Sequence, residues 1–252
     1  METPRGEAGG RGTDEVVVHL FGGPYVSCCG VANGVPRGSK RLLAFVALAG
    51  GRVERSYAAG CLWPFGDDTR AAGNLRSSLW RLRRSGVDVV RADKWSLALA
   101  PEVGVDSHRL CEWSGRLVHG TPTVGDQSLD TVPADALNLL PGWYDDWVII
   151  ERERIRQRVL HAMEALCRQL TRIGRYDEAL AVARTAIAAE PLRESAQRVH
   201  LEALLATGCL TEAWETFTAF ADLVRGELGV EPSRSLTAMM SRSRSLPLAV
   251  SQ

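Results

Sequence analysis

Five pairs of positions in the C-terminal half of this chain share one offset of 34 residues: Gly174 and Gly208, Tyr176 and Leu210, Ala179 and Ala213, Ala183 and Phe217, Ala186 and Phe220. A fixed period of that length marks stacked two-helix units, none of which can bury its apolar face alone. Small residues such as Ala179 and Ala213 stand where paired helices cross closely, and each glycine supplies the turn between them. Pro191 closes the first unit. Arg225 stands where the second would carry its proline, so termination passes to Pro232 after Gly229. Two units with flanking helices are just enough to bury a continuous core. Apolar residues also recur at helical spacing over 107–119 and 135–140, separated by a Gly/Thr/Pro-rich loop at 120–133, and 145–173 reads as one long helix stopped by Gly174.

The N-terminal half has a different grammar. Residues 1–14 are Gly-rich and aperiodic and read as a mobile tail. A β-branched run at 16–21 is closed by Gly22-Gly23-Pro24, and a second short strand follows at 25–30. Ser39 can cap a largely buried helix over 39–49 that Gly50-Gly51 stops; a second helix, 55–62, ends before Pro64. Asp67-Asp68-Thr69 opens a third, since carboxylates satisfy free N–H groups at a helix start, and Gly86 ends it, giving 69–85. Alternating runs at 87–91 and 95–99 flank the turn Ala92-Asp93-Lys94 as a hairpin. The expected architecture is therefore an α+β winged helix-turn-helix over 15–102, a boundary at 101–106, and an all-α tetratricopeptide-like repeat domain over 106–245.

On a wheel of 100° per residue centred on Leu75, Leu79 and Leu82 fall within about 40°, with Ala71 and Ala72 close by, so this face of helix three packs inward. The opposite arc carries Arg70, Gly73, Asn74, Ser77, Arg81 and Arg84 with Trp80 at its edge, and no acid. Arginine forks to guanine O6 and N7, asparagine pairs with adenine N6 and N7, and serine reaches a phosphate or a base edge. Arg76 and Arg83 lie on the shoulders, where phosphates flank an inserted helix. Leucines inside and arginines outside also describe an ordinary solvated helix. What separates the two readings is context: a capped helix and turn precede helix three, and a hairpin with Arg91 and Lys94 near its tip follows it as a wing for phosphates or a minor groove.

Composition bounds the remaining possibilities. Thirty basic and thirty acidic side chains cancel overall, yet 1–109 holds 15 against 11 and the remainder 15 against 19. Arginine supplies 28 of the 30 cations, and its planar fork suits phosphate. No stretch is long and apolar enough for a membrane span and the start has no apolar signal core, so a cytoplasmic chain is expected. Six cysteines without Cys-x-x-Cys spacing indicate neither a zinc clip nor a disulfide framework. The stretch 34–40 lacks the Gly-Lys-Ser/Thr of a phosphate loop, the five histidines are dispersed, and Asp145-Asp146, between Trp143 and Trp147, reads as a helix cap. No catalytic residue, metal site or cofactor site is expected, and no enzyme.

The order of parts resembles the bacterial SARP family, the antibiotic regulatory proteins of actinomycetes, in their short form, over about residues 15–240. The resemblance rests on Leu62-Trp63-Pro64, Asn74-Leu75-Arg76-Ser77 with Trp80-Arg81-Leu82-Arg83-Arg84, Leu140-Pro141-Gly142-Trp143 with Asp146-Trp147, Glu151-Arg152-Glu153-Arg154, and Gly229-Val230-Glu231-Pro232. It implies an OmpR-like DNA-binding domain followed by a bacterial transcriptional activator domain, activating a biosynthetic gene cluster by binding direct repeats in promoter DNA and recruiting RNA polymerase. Base-reading positions carried over are Asn74, Ser77 and Arg81, with Arg70 and Arg84; the 65–69 loop is the polymerase contact. The ATPase module of longer relatives is not expected. A basic excess of only four in the first half points to a homodimer, or to polymerase, as a source of added affinity. Two other readings stay open at this level: a protein-interaction adaptor whose winged domain does not bind DNA, and a small-molecule sensor in the helical half.

Overall fold

The computed structural model describes residues 15–128 and 135–244; the expected tail at 1–14, the end of the 120–133 loop and the last residue of the expected 106–245 domain lie outside the described residues. The chain divides into two compact units, residues 1–110 with 138–155, and residues 111–137 with 156–252.

In the first unit the elements run β1 (Val16–His19), β2 (Tyr25–Cys28), β3 (Val31–Asn33), α1 (Lys40–Ala49), β4 (Val53–Glu54), α2 (Arg55–Leu62), α3 (Asp68–Arg84), β5 (Val90–Ala92), β6 (Ser96–Leu99) and β7 (Val103–Val105), followed by the start of α4 (Asp106–Val118). One sheet has the order β3-β2-β1-β7, with β1 antiparallel to β2 but parallel to β7; a smaller one has the order β4-β6-β5. Helix α1 packs on α2, α3 and β6, burying Leu42, Leu43, Val46, Leu62, Leu75, Leu82 and Leu97. Each such side chain stabilises the fold by about 1.5–3 kcal/mol. The Asp106 carboxylate accepts from the N–H groups of Leu20 (2.8 Å), Phe21 (3.2 Å) and Ser107 (2.7 Å), tying the end of β1 to the start of α4. Burial nevertheless raises its pKa, because desolvation outweighs these bonds.

Two local expectations are corrected. Ser39 makes no side-chain cap; a 3₁₀ turn at Arg37–Ser39 leads into α1, and the buried Ser39 hydroxyl instead donates to the Ser78 carbonyl at 2.8 Å. Residues 135–140 form no helix among the described residues: Leu139 bridges to Phe21 and the Leu140 N–H donates to the Leu20 carbonyl (3.1 Å), so apolar spacing there reflects burial against β1's end. The helix α5 (Asp146–Arg172) begins in this unit. The Asp145 carbonyl accepts its first bonds, from Val148 (2.8 Å) and Ile149 (3.0 Å), while the Asp145 carboxylate pairs with Arg41 rather than with the helix end. Arg152 forks onto three carbonyls, those of Leu139 (2.7 Å), Leu140 (2.6 Å) and Trp143 (2.9 Å), which accounts for the Leu-Pro-Gly-Trp and Glu-Arg-Glu-Arg motifs as one clamp.

In the second unit Trp113 is 2% exposed and its indole N–H donates to the Asp126 carbonyl. The Asp126 carboxylate takes two bonds from Arg116 and two from Thr123, all at 2.8 Å, and the Arg116 guanidinium above all holds it well below the usual carboxylate range. The repeat is then realised by α6 (Tyr176–Ala189), α7 (Glu194–Ala206), α8 (Leu210–Leu228) and α9 (Arg234–Arg244). Gly174 and Gly208 share φ +79°, the left-handed turn that glycine permits, and Ala179, Ala183, Ala186 and Ala213 are all fully buried where helices pack closely. Gly229, at φ +67°, ends α8. Glu164 is buried but accepts from Arg193 (2.6 Å) and Ser195 (2.7 Å), so its charge is compensated.

Candidate nucleic-acid interface

Helix α3 begins where the Asp67 side chain accepts from the Arg70 N–H at 2.7 Å, with Asp68 in the first turn, and ends where the Ser85 hydroxyl donates to the Leu82 carbonyl. Arg81, Arg83 and Arg84 occupy its last turn, where the helix dipole favours cations. Ala71, Leu75, Ser78, Leu79 and Leu82 are its buried residues. Ser78 is the one the wheel did not single out: its hydroxyl donates to the Gly38 carbonyl at 3.0 Å while its carbonyl accepts from Ser39. This reciprocal pair fastens α3 to the turn before α1. Only the tertiary placement of two serines 39 residues apart reveals it; glycine at 38 was the local trace.

On the outer side Arg70, Arg76, Ser77, Arg81, Arg83 and Arg84 are exposed and Asn74 is half-buried. The Arg81 guanidinium lies over Gly38, where a Cβ would stand 3.2 Å from it, and reaches the Ser78 hydroxyl at 3.4 Å. Arg84 stacks on exposed Trp80, 5.0 Å from the ring centre. Arg76 borders a groove of about 320 Å³ between α2 and α3, facing Arg55 and Ser56. Among the described residues no ion pair involves an α3 arginine. In a chain with as many acids as bases, five unneutralised arginines on one helix make a local positive field that the net charge conceals.

The hairpin divides its two cations. Lys94 sits at the tip over Trp95, 4.7 Å from the ring centre. Arg91 lies within β5 and is held by Glu102 at 3.0 and 3.1 Å, so the structure does not group it with the α3 arginines. The tip is ordered by Asp93, which accepts from the N–H groups of Trp95 (2.8 Å) and Ser96 (2.7 Å) and from Arg52 (2.6 Å); the backbone donors, Trp95 first, lower its pKa to about 2. Phe65, in the loop before α3, is 93% exposed. Among the described residues no cluster of His, Cys, Asp and Glu could hold a metal, and no helix is long and apolar enough to cross a membrane.

Residues 110–243 match the bacterial transcriptional activator domain, and since this is more than half of the chain, the chain belongs to that family. It is a SARP-family transcriptional regulator, as the motifs implied. No curated protein matches it in sequence. The solved structure of Mycobacterium tuberculosis EmbR in complex with a low-affinity phosphopeptide is similar over 93% of this chain, with a TM-score of 0.66 at 17% identity. That likeness shows the fold, a small β-rich winged-helix region followed by helical repeats; this chain spans 66% of the EmbR chain, just under two thirds.

Proposed function

We propose that the chain is a sequence-specific DNA-binding activator whose α3 lies in a major groove. The observation that carries this reading is the outer face of α3: five arginines without an acidic partner among the described residues, opposite leucines anchored in the core. Arg81 and Asn74, with Ser77, Arg70 and Arg84, read bases; Arg76 and Arg83 take phosphates; Lys94 at the wing tip reaches the backbone beside them, and Arg91 joins it by exchanging Glu102 for phosphate. The DNA-binding part is the winged helix over 15–102. Promoter direct repeats, a biosynthetic gene cluster as target and a cytoplasmic location follow from the SARP family resemblance. RNA polymerase is the partner of the 65–69 loop, a reading supported by the bare Phe65 ring.

The test is a selection of duplexes from a random library by the purified protein, followed by electrophoretic retardation of the enriched duplex. Arg81→Ala and Asn74→Ala each abolish retardation of that duplex while leaving the circular dichroism spectrum unchanged. Retention of wild-type affinity by both variants removes α3 from the interface.

A further inference from the structure

The field of unpaired cations does not end with α3. Across the Gly38–Arg81 contact it continues onto the 3₁₀ turn and the start of α1, where neither Arg37 nor Lys40 has an acidic partner among the described residues. These two, with Arg41, line an open cleft of about 560 Å³ whose other wall is Trp143, Tyr144 and Asp145. The single acid present, Asp145, is already engaged by one Arg41 nitrogen, while the Nε of Arg41 is buried without an acceptor. Tyr144 is 81% exposed and places a phenol beside the cations. The cleft therefore gathers three cations against one neutralised carboxylate.

We propose that this cleft holds a backbone phosphate of the same duplex that α3 reads, with Arg37 and Lys40 as its direct ligands and Arg41 recruited from Asp145. The inference rests on the major-groove reading of α3. Three features favour a duplex phosphate as the occupant. The cleft is continuous with the α3 ridge through Gly38 and the Ser39–Ser78 pair. Its charge is complementary to phosphate. It is also open rather than enclosed, as a site for one group on a long polymer must be. A phosphate bound here fixes the register of α3 without reading sequence. The family motif around Leu140 and Trp143, held by the Arg152 clamp, then supplies the far wall of a binding cleft as well as a structural joint.

The experiment measures fluorescence anisotropy of the library-selected duplex and of a scrambled duplex with the full chain, over a series of KCl concentrations. Each phosphate neutralised contributes about 0.9 to the slope of log affinity against log salt. Arg37→Gln with Lys40→Gln, which together remove this one phosphate contact, lowers that slope by about 0.9 and weakens both duplexes by a similar factor, about tenfold or more, so discrimination is kept. Asp145→Asn, which frees Arg41, tightens both duplexes several-fold. An unchanged slope in the double variant, with wild-type affinity, overturns the phosphate clamp while leaving α3 in place. Tight saturable binding of ATP or inorganic phosphate without DNA, quenching Trp143, together with that unchanged slope, overturns it in favour of a small anion. Failure of the wild type to bind any selected duplex removes both readings at once. Melting curves that match the wild type confirm that the exposed Arg37 and half-buried Lys40 were not structural.

Discussion

Arg152→Ala tests whether the joint between α5 and the strand end is held by one guanidinium. In the folded chain this side chain donates to the carbonyls of Leu139, Leu140 and Trp143 at 2.6–2.9 Å. Leu139 is 1% exposed, so on truncation its carbonyl has no easy route to water, whereas the Leu140 carbonyl keeps the Trp143 N–H at 3.2 Å and half-buried Trp143 can rehydrate. Leaving a buried acceptor unsatisfied costs about 1–3 kcal/mol. One such carbonyl, with the loss of the arginine's packing, gives about 2–3 kcal/mol. At about 2–4 °C per kcal/mol for a chain of this size, the melting temperature falls by about 7 °C. The assay is thermal unfolding followed by tryptophan fluorescence, which reports Trp143 and Trp147 within the same unit. Arg152→Lys recovers part of the loss, because an ammonium cannot present the planar fork that meets three carbonyls at once. If Arg152→Ala melts within about 1 °C of the wild type, the clamp makes no net contribution and the reasoning from an unsatisfied carbonyl fails here.

Two further outcomes test other parts of the structure. Leu82→Ala, at a position 1% exposed on the inner face of α3, destabilises the chain by about 2–5 kcal/mol in chemical denaturation, whereas Arg81→Ala one residue away changes stability by less than about 0.5 kcal/mol. His200 is buried with neither ring nitrogen hydrogen-bonded, and desolvation, followed by the nearby Arg184, lowers its pKa. Below about pH 6.5 the unfolded chain takes up a proton that the folded chain refuses, so this contribution to stability is complete above that pH and declines below it, by at most about 1.4 kcal/mol per pH unit, until the folded-state pKa is reached. His200→Gln flattens the denaturation midpoint between pH 6.5 and 5 relative to the wild type; equal slopes would place the pH dependence elsewhere.

The amphipathic helix over 68–84 and the 34-residue repeat were legible because both are local periodicities: a helix returns every 3.6 residues to the same face, and a repeat returns to the same packing environment. The boundaries of α2 and the left-handed glycines at 174 and 208 follow from neighbouring residues alone. Strands of two or three residues, such as β4 and β7, are too short to show a period. The parallel pairing of β1 with β7 joins positions 87 apart, as Val16 and Val103 do, which no window along the chain contains.

What the sequence by itself determined was which side of α3 would be apolar and which cationic, and that the second half would be stacked helical pairs, since both depend on spacing alone. Tertiary structure decided which charges are neutralised. Arg91 and the arginines of α3 look alike in sequence, but Glu102 reaches the first and, among the described residues, no acid pairs with the others. It also decided that residues 138–155 join the N-terminal unit through Arg152 and Arg41, placing Trp143 and Tyr144 across from Arg37. The physical reason is range: helix faces follow from a bonded geometry of a few residues, whereas ion pairing and cleft formation depend on distances of a few ångströms between groups far apart along the chain.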